Sequence, residues 1–173
     1  MASPLWNFSI AVYSTSAVQG ECLDLQDQFG LDVNLILLCA FLGAVHGVTL
    51  TPGDLASARE EVRQWHEQIV RQLRAARRSL KSIALQGADA NAAAQLRTQV
   101  QAAELESERI EQMRLEQWAE ARLAAWPRGN SHEAVAANFQ TLLAVYGTGA
   151  ERLVAAQAMK HLIAAALNQV VNK

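Results

Sequence analysis

Apolar residues recur at steps of three and four along most of the chain, and no stretch sustains the alternation of a half-buried strand. The pattern therefore predicts helices nearly throughout. A first helix spans residues 4–13, with Ser3 as its cap and Pro4 in the first turn, where a missing N–H is harmless. A second covers 17–29 and stops at Gly30, with Leu23 and Phe29 turned inward and Cys22 and Gln26 on the adjacent stripe. Asp32 caps a third, 33–46, which Gly47 ends. It is apolar almost all round and so belongs at the centre of the fold.

Thr51 and Pro52 signal the start of a long helix that runs to about residue 85. Its apolar positions (Val62, Trp65, Ile69, Leu73, Ala76, Leu80 and Ile83) fall within about 80° of arc. Gly87, Ala88 and Asp89 read as a turn. A second long helix follows over 90–125, with Leu96, Val100, Ala103, Ile110, Trp118, Ala121 and Ala125 as its stripe and Pro127 and Gly129 beyond its end. Together the two make an antiparallel hairpin over about 52–126, resembling a coiled coil. Ser131 caps a sixth helix, which Gly147 terminates after Tyr146. A seventh starts at Thr148 or Gly149 and ends near residue 171. The expectation is one all-α domain over residues 1–173. A compact head of helices one to three, six and seven carries the hairpin of helices four and five, which leans on it or projects from it.

Composition agrees. Alanine, leucine, glutamine, glutamate and arginine dominate, with three prolines and nine glycines in 173 residues. A chain of this length can bury a sizeable core. The apolar run at 33–45 falls short of the roughly 18 residues that a membrane span needs. No basic residue precedes the first apolar stretch, as a secretory signal would require. Cys22 and Cys39 lie on different predicted helices and read as reduced, buried thiols of a cytoplasmic protein.

Charge changes the picture more. The net charge of −2 argues against nucleic acid as a partner. The first fifty residues hold no lysine or arginine but carry Glu21, Asp24, Asp27 and Asp32. On the fourth helix, Arg71, Arg74, Arg77, Arg78 and Lys81 share roughly 120° of arc beside the apolar stripe. If the hairpin folds about Gly87, residues whose numbers add to about 175 face each other. Arg71 then meets Glu104, while Arg74, Arg77, Arg78 and Lys81 meet only Gln95, Arg97, Gln99 and Gln101. Arg71, Arg74, Arg77, Arg78, Lys81 and Arg97 would form an uncompensated positive face for an anionic partner, foremost an acidic protein surface. The competing reading is an ordinary solvated helix face.

A second candidate site is a pocket between the amino-terminal helices and the fourth helix, drawn from Trp6, Tyr13, Gln26, Asp32, Asn34, Trp65 and Arg114, with Arg71 beside it. Asp32 is explained by capping alone. Asn34, in a buried first turn, needs backbone or Gln26 as a partner, or lines the pocket. Arg114 sits at the centre of an apolar stripe. Either its stem lies on apolar surface with the head in water, or it pairs with an acid of the compact head, such as Asp32 or Asp54, as a strut or as a site. Glu104, Glu106, Glu108, Glu111 and Glu116, with Arg109 and Arg114 at helical spacing, read as a salt-laced, solvated face. His46, His66, His132 and His161 show no metal-ligand spacing, and no phosphate loop, nucleophile motif or cofactor signature is present. No catalytic residue, metal or cofactor is expected. The first expectation is a non-enzymatic binding or adaptor protein. The alternatives are a small-molecule-binding protein or weak enzyme using the pocket, and a structural homodimer formed by the hairpin's apolar stripes.

Trp6-Asn7-Phe8-Ser9 and the residues to Tyr13, Cys22 to Asp27, Gly30-Leu31-Asp32-Val33-Asn34-Leu35, Trp65 and the run from Leu73 to Lys81 resemble a small proteobacterial family with no assigned function. W-x-F-S and G-L-D-V-N are its signatures. The likeness is close over about the first 85 residues and loose over the alanine-rich remainder. It implies a bacterial cytosolic protein of helical fold and transfers no catalytic residue. Relatives often place proline before the Leu-Arg step, where this chain has Gln72. A kink is therefore not expected there, and the fourth helix should be continuous.

Overall fold

The computed structural model describes residues 3–84, 86–146 and 159–171. Among them, regular structure is helical apart from one antiparallel bridge between Val48 and Arg128. The helices are α1 (Pro4–Val12), α2 (Ser16–Phe29), α3 (Val33–His46), α4 (Pro52–Trp65), α5 (Arg71–Ser82), α6 (Gly87–Glu120), α7 (Ser131–Tyr146) and α8 (Lys160–Val171). The chain is all-α, as its pattern requires. No helix among the described residues is long and apolar enough to cross a membrane.

Local signals set most boundaries. The Ser3 hydroxyl accepts from the Trp6 N–H at 3.0 Å, and Asp32 Oδ1 accepts from the Asn34 N–H at 2.9 Å. Thr51 and Asp54 form a reciprocal capping box ahead of α4. Gly30 and Gly47 close α2 and α3 in the left-handed conformation, which only glycine takes without a penalty. Two expectations need correction. Asn130, not Ser131, caps α7: its Oδ1 accepts from the N–H groups of His132 and Glu133. On α2 the buried stripe is Val18, Cys22 and Leu25, and Leu23 is exposed, because the face that meets α8 runs through 18, 22 and 25. The expected stop at Gly147 and the start of the last helix at 148–149 lie outside the described residues.

Helix α3 is the hub. All its residues from Asn34 to Ala44 are buried, and it packs on α1, α2, α6, α7 and α8. Its closest crossing is with α7. A Cβ on Gly43 would stand 2.7 Å from the Val135 backbone nitrogen, so only glycine permits the approach. Asn138 of α7 is fully buried and bonded. Its Oδ1 accepts from the Leu50 N–H, and its Nδ2 donates to the Cys39 and Val48 carbonyls. Cys22 and Cys39 are buried free thiols, and burial pushes both up to about 12.

The fourth predicted helix is unbroken from residue 52 to 82, but not regular. One π-helical turn, His66–Val70, joins α4 to α5. Helix α6, about 51 Å long at 1.5 Å per residue, runs antiparallel to both. The pairs Ser57–Trp118, Glu61–Arg114, His66–Glu111, Arg74–Glu108 and Arg77–Glu104 step along the hairpin in opposite directions. The carboxyl-terminal half of α6 lies on the head, where Glu116 accepts from the Leu5 N–H at the start of α1. The turn end does not: α5 has no buried residue, and Ile83 and Leu96 are exposed.

Candidate functional site

Over residues 104–112 the inward face of α6 is polar, and it turns apolar only at Leu115, Trp118 and Ala119. Glu104, Ser107, Glu111, Gln112 and Glu116 are buried, whereas Leu96 and Leu105 are exposed. This corrects the expectation of a solvated acidic face, which holds only for Glu106 with its Arg109 partner. Helix α6 buries these acids because α1, α3, the π-turn and α5 present groups that bond them.

At the centre, three side chains from three segments meet. His66, at the start of the π-turn, places Nδ1 3.2 Å from Asp32 Oδ2 and 3.1 Å from Glu111 Oε1. The Glu111 side chain is wholly buried, and Asp32 and His66 are mostly so. Each carboxylate spends its other oxygen on the frame. Asp32 Oδ1 caps α3 through the Asn34 N–H, and Glu111 Oε2 accepts from Asn34 Nδ2 at 3.1 Å. Asn34 is held in turn by Gln112, whose Nε2 donates to its Oδ1 at 2.9 Å. The expected partners of Asn34, backbone or Gln26, are thus replaced by Glu111 and Gln112. Burial, and then the nearby Asp32 charge, push the Glu111 carboxyl well above its usual range. For His66, burial opposes the charged form, but the Glu111 hydrogen bond and the charges of Asp32 and Glu111 outweigh it and raise its pKa. Asp32 is therefore more than a cap, and the π-turn fits the frequent place of such turns at working sites.

Asp32 and His66 line a cavity of about 410 Å³ between α2, α4, α5 and the end of α7. Five arginines border it (Arg59, Arg63, Arg71, Arg74 and Arg78) against Asp27, Asp32 and Glu67. A neighbouring cavity of about 290 Å³ is lined by Trp6, Tyr13, Gln26 and Asn34 among others. The expected pocket thus resolves into two. Gln26 borders both and Asp32 the larger, while Trp65 and Arg114 border neither. Trp65 instead donates its indole N–H to the Ser107 carbonyl. Arg114 pairs with Glu61, through both its carboxylate and its carbonyl, and not with Asp32 or Asp54.

The uncompensated basic face is also corrected. Arg74 binds Glu104 and Glu108, Arg77 binds Glu104, and Arg78 binds Asp27. The register is about one turn from that expected, which brings Glu104 and Glu108 opposite residues 74 and 77, and α2 adds Asp27. Lys81 stays exposed, and Arg97 is partly buried. Two cavity arginines escape neutralisation. The Arg71 guanidinium makes no ion pair or hydrogen bond among the described residues, and the Arg59 guanidinium lies 5.0 Å over the Tyr146 ring.

The fold and site define a class: an all-α protein whose long hairpin seals an ionisable cluster beneath an arginine-bordered cavity. The chain belongs to the family described as Protein of unknown function (DUF2390), which it matches over residues 4–115. That stretch holds Asp32, His66 and Glu111, and extends beyond the 85 residues on which the resemblance rested. No curated protein and no solved structure matches the chain.

Proposed function

We propose that the protein binds a small anionic molecule in the larger cavity, between the amino-terminal helices and the α4–α5 run. The observation that carries this reading is the contrast among the cavity's arginines. Arg63, Arg74 and Arg78 have carboxylate partners, whereas Arg59 and Arg71 have none among the described residues. A guanidinium without a carboxylate is a ready receptor for carboxylate or phosphate, which it binds in a bidentate way. The volume lies in the usual range of small-molecule sites, about 300–1,000 Å³.

A broad contact with an acidic protein surface is less well supported, because three of its six expected residues are occupied within the molecule. The two buried free thiols suit a reducing compartment, and we read the protein as cytoplasmic. The test is calorimetric titration of the full chain with inorganic phosphate and with citrate. We expect one site for at least one of them, weakened at least tenfold by Arg59→Gln with Arg71→Gln. Absence of binding by both anions, or undiminished binding in the double variant, would reject the reading.

A further inference from the structure

We propose that Asp32, His66 and Glu111 form a binding site for a divalent first-row transition cation, reached from the larger cavity. The three donor atoms lie within 4.8 Å of one another. Two of the separations, 3.2 Å and 3.1 Å about His66 Nδ1, approach the spacing of ligands around a single ion. Bonds of about 2.0–2.2 Å in tetrahedral geometry set donors about 3.3–3.6 Å apart, so small side-chain shifts admit the metal.

Three further observations point the same way. The first is charge. Two shielded carboxylates face one imidazole, and the Arg74 guanidinium beside the cavity is taken by Glu104 and Glu108. A dication balances the pair with the imidazole neutral, the form that ligates. The second is orientation. Each carboxylate has one oxygen held by the frame and the other turned to His66, and the Gln112–Asn34–Glu111 chain is the outer support that fixes ligand direction. The third is access. Asp32 and His66 border the cavity while Glu111 closes the back, so the ion has a route in and positions left for an outside ligand. One nitrogen and two oxygen donors suit Zn²⁺, Mn²⁺, Fe²⁺ or Co²⁺ better than a soft ion.

The metal site does not depend on the anion-binding reading, because the ion alone is the probe. Full-length protein stripped with chelator is titrated with Zn²⁺ by calorimetry and with Co²⁺ by visible absorption, in buffer free of coordinating anions. We expect one ion per chain at micromolar affinity, with the cobalt band of a nitrogen–oxygen site. Glu111→Gln and Asp32→Asn keep the shape of each side chain, and Asp32→Asn keeps the cap. Each should weaken binding by more than about tenfold while circular dichroism shows unchanged helix content. Failure to bind below millimolar concentration would overturn the proposal. So would equal binding by both variants, since the ion would then sit at an exposed histidine such as His132 or His161. If either variant unfolds, the other decides. Loss of anion binding with retained metal binding would reject only the preceding reading.

Discussion

The α3–α7 contact and the contact of α6 with the α4–α5 run are both buried helix pairs, but they are built from opposite materials. The buried residues of α3 and α7 include Leu35, Ile36, Leu38, Cys39, Leu42, Val135, Phe139 and Leu142. The one buried amide facing them, Asn138, is fully bonded to backbone. Across the hairpin, α6 turns Glu104, Ser107 and Glu111 inward to Arg74, Arg77, His66 and the Trp65 indole, and only later along the helix the apolar Leu115, Trp118 and Ala119. Apolar burial gives net stability of about 25 cal/mol per Å². A buried ion pair roughly breaks even, because desolvation offsets attraction. The head therefore supplies stability, whereas the hairpin's polar seam fixes register and holds ionisable groups in place.

That contrast is open to direct attack. The largest loss should come from the head. Leu38→Ala removes a wholly buried side chain from the hub helix and should cost about 2–5 kcal/mol in a urea unfolding experiment. A cost under 1 kcal/mol would mean that the head is not the stable part. In the hairpin, Glu104→Ala leaves the Arg74 and Arg77 guanidinium groups without their shared carboxylate. Arg74 keeps Glu108, and both arginines reach some water, so the loss should be about 1–3 kcal/mol. Most of that comes from stranding charge, not from the pair's own worth. Glu104→Gln, which still accepts hydrogen bonds, should recover part of it. If Glu104→Ala were as costly as Leu38→Ala, the seam would be a source of stability in its own right.

The fold was legible where one residue type had one job. The apolar run of α3, the proline starts of α1 and α4, and the glycines at 30 and 47 all act locally, and the sequence reading placed those elements closely. Where a polar residue worked at long range, the reading misled. Glu111 and Glu116 carry the spacing of a solvated face, and nothing in their neighbourhood reveals that Asn34, His66 and the first turn of α1 cover them. The hairpin rule that residue numbers add to about 175 held for Arg114–Glu61 but drifted by a turn near the tip, enough to hide both partners of Arg74. Among the pocket residues, Asp32 and Asn34 stood out because a buried first turn must satisfy its polar atoms. His66 did not, since its ligand-like neighbours come from segments 34 residues before it and 45 after. The π-turn that presents His66 has no composition of its own in His66–Val70.

The finest probe of the comparison is an exposed ion pair that ties head to hairpin, Arg78 on α5 with Asp27 on α2. It resembles the seam in chemistry but differs in setting, because both side chains are about half exposed. The Arg78 hydrogen bond, ahead of the opposing effect of slight burial, holds the Asp27 carboxyl below its usual range. A carboxyl depressed in the folded state adds stability that is present above its unfolded value of about 3.9 and is lost as pH falls through the folded value. Asp27→Asn should therefore destabilise the protein at pH 7 by less than about 1 kcal/mol, since solvent screens the pair. The gap between variant and parent should narrow as the pH drops below about 4 and close in stronger acid. Urea midpoints at pH 7 and pH 3 measure both limbs. A gap that stayed constant with pH would show that Asp27 acts through packing and not through charge. A loss of several kcal/mol would place this contact with the buried seam, and the boundary between head and hairpin would then have to be drawn through α2.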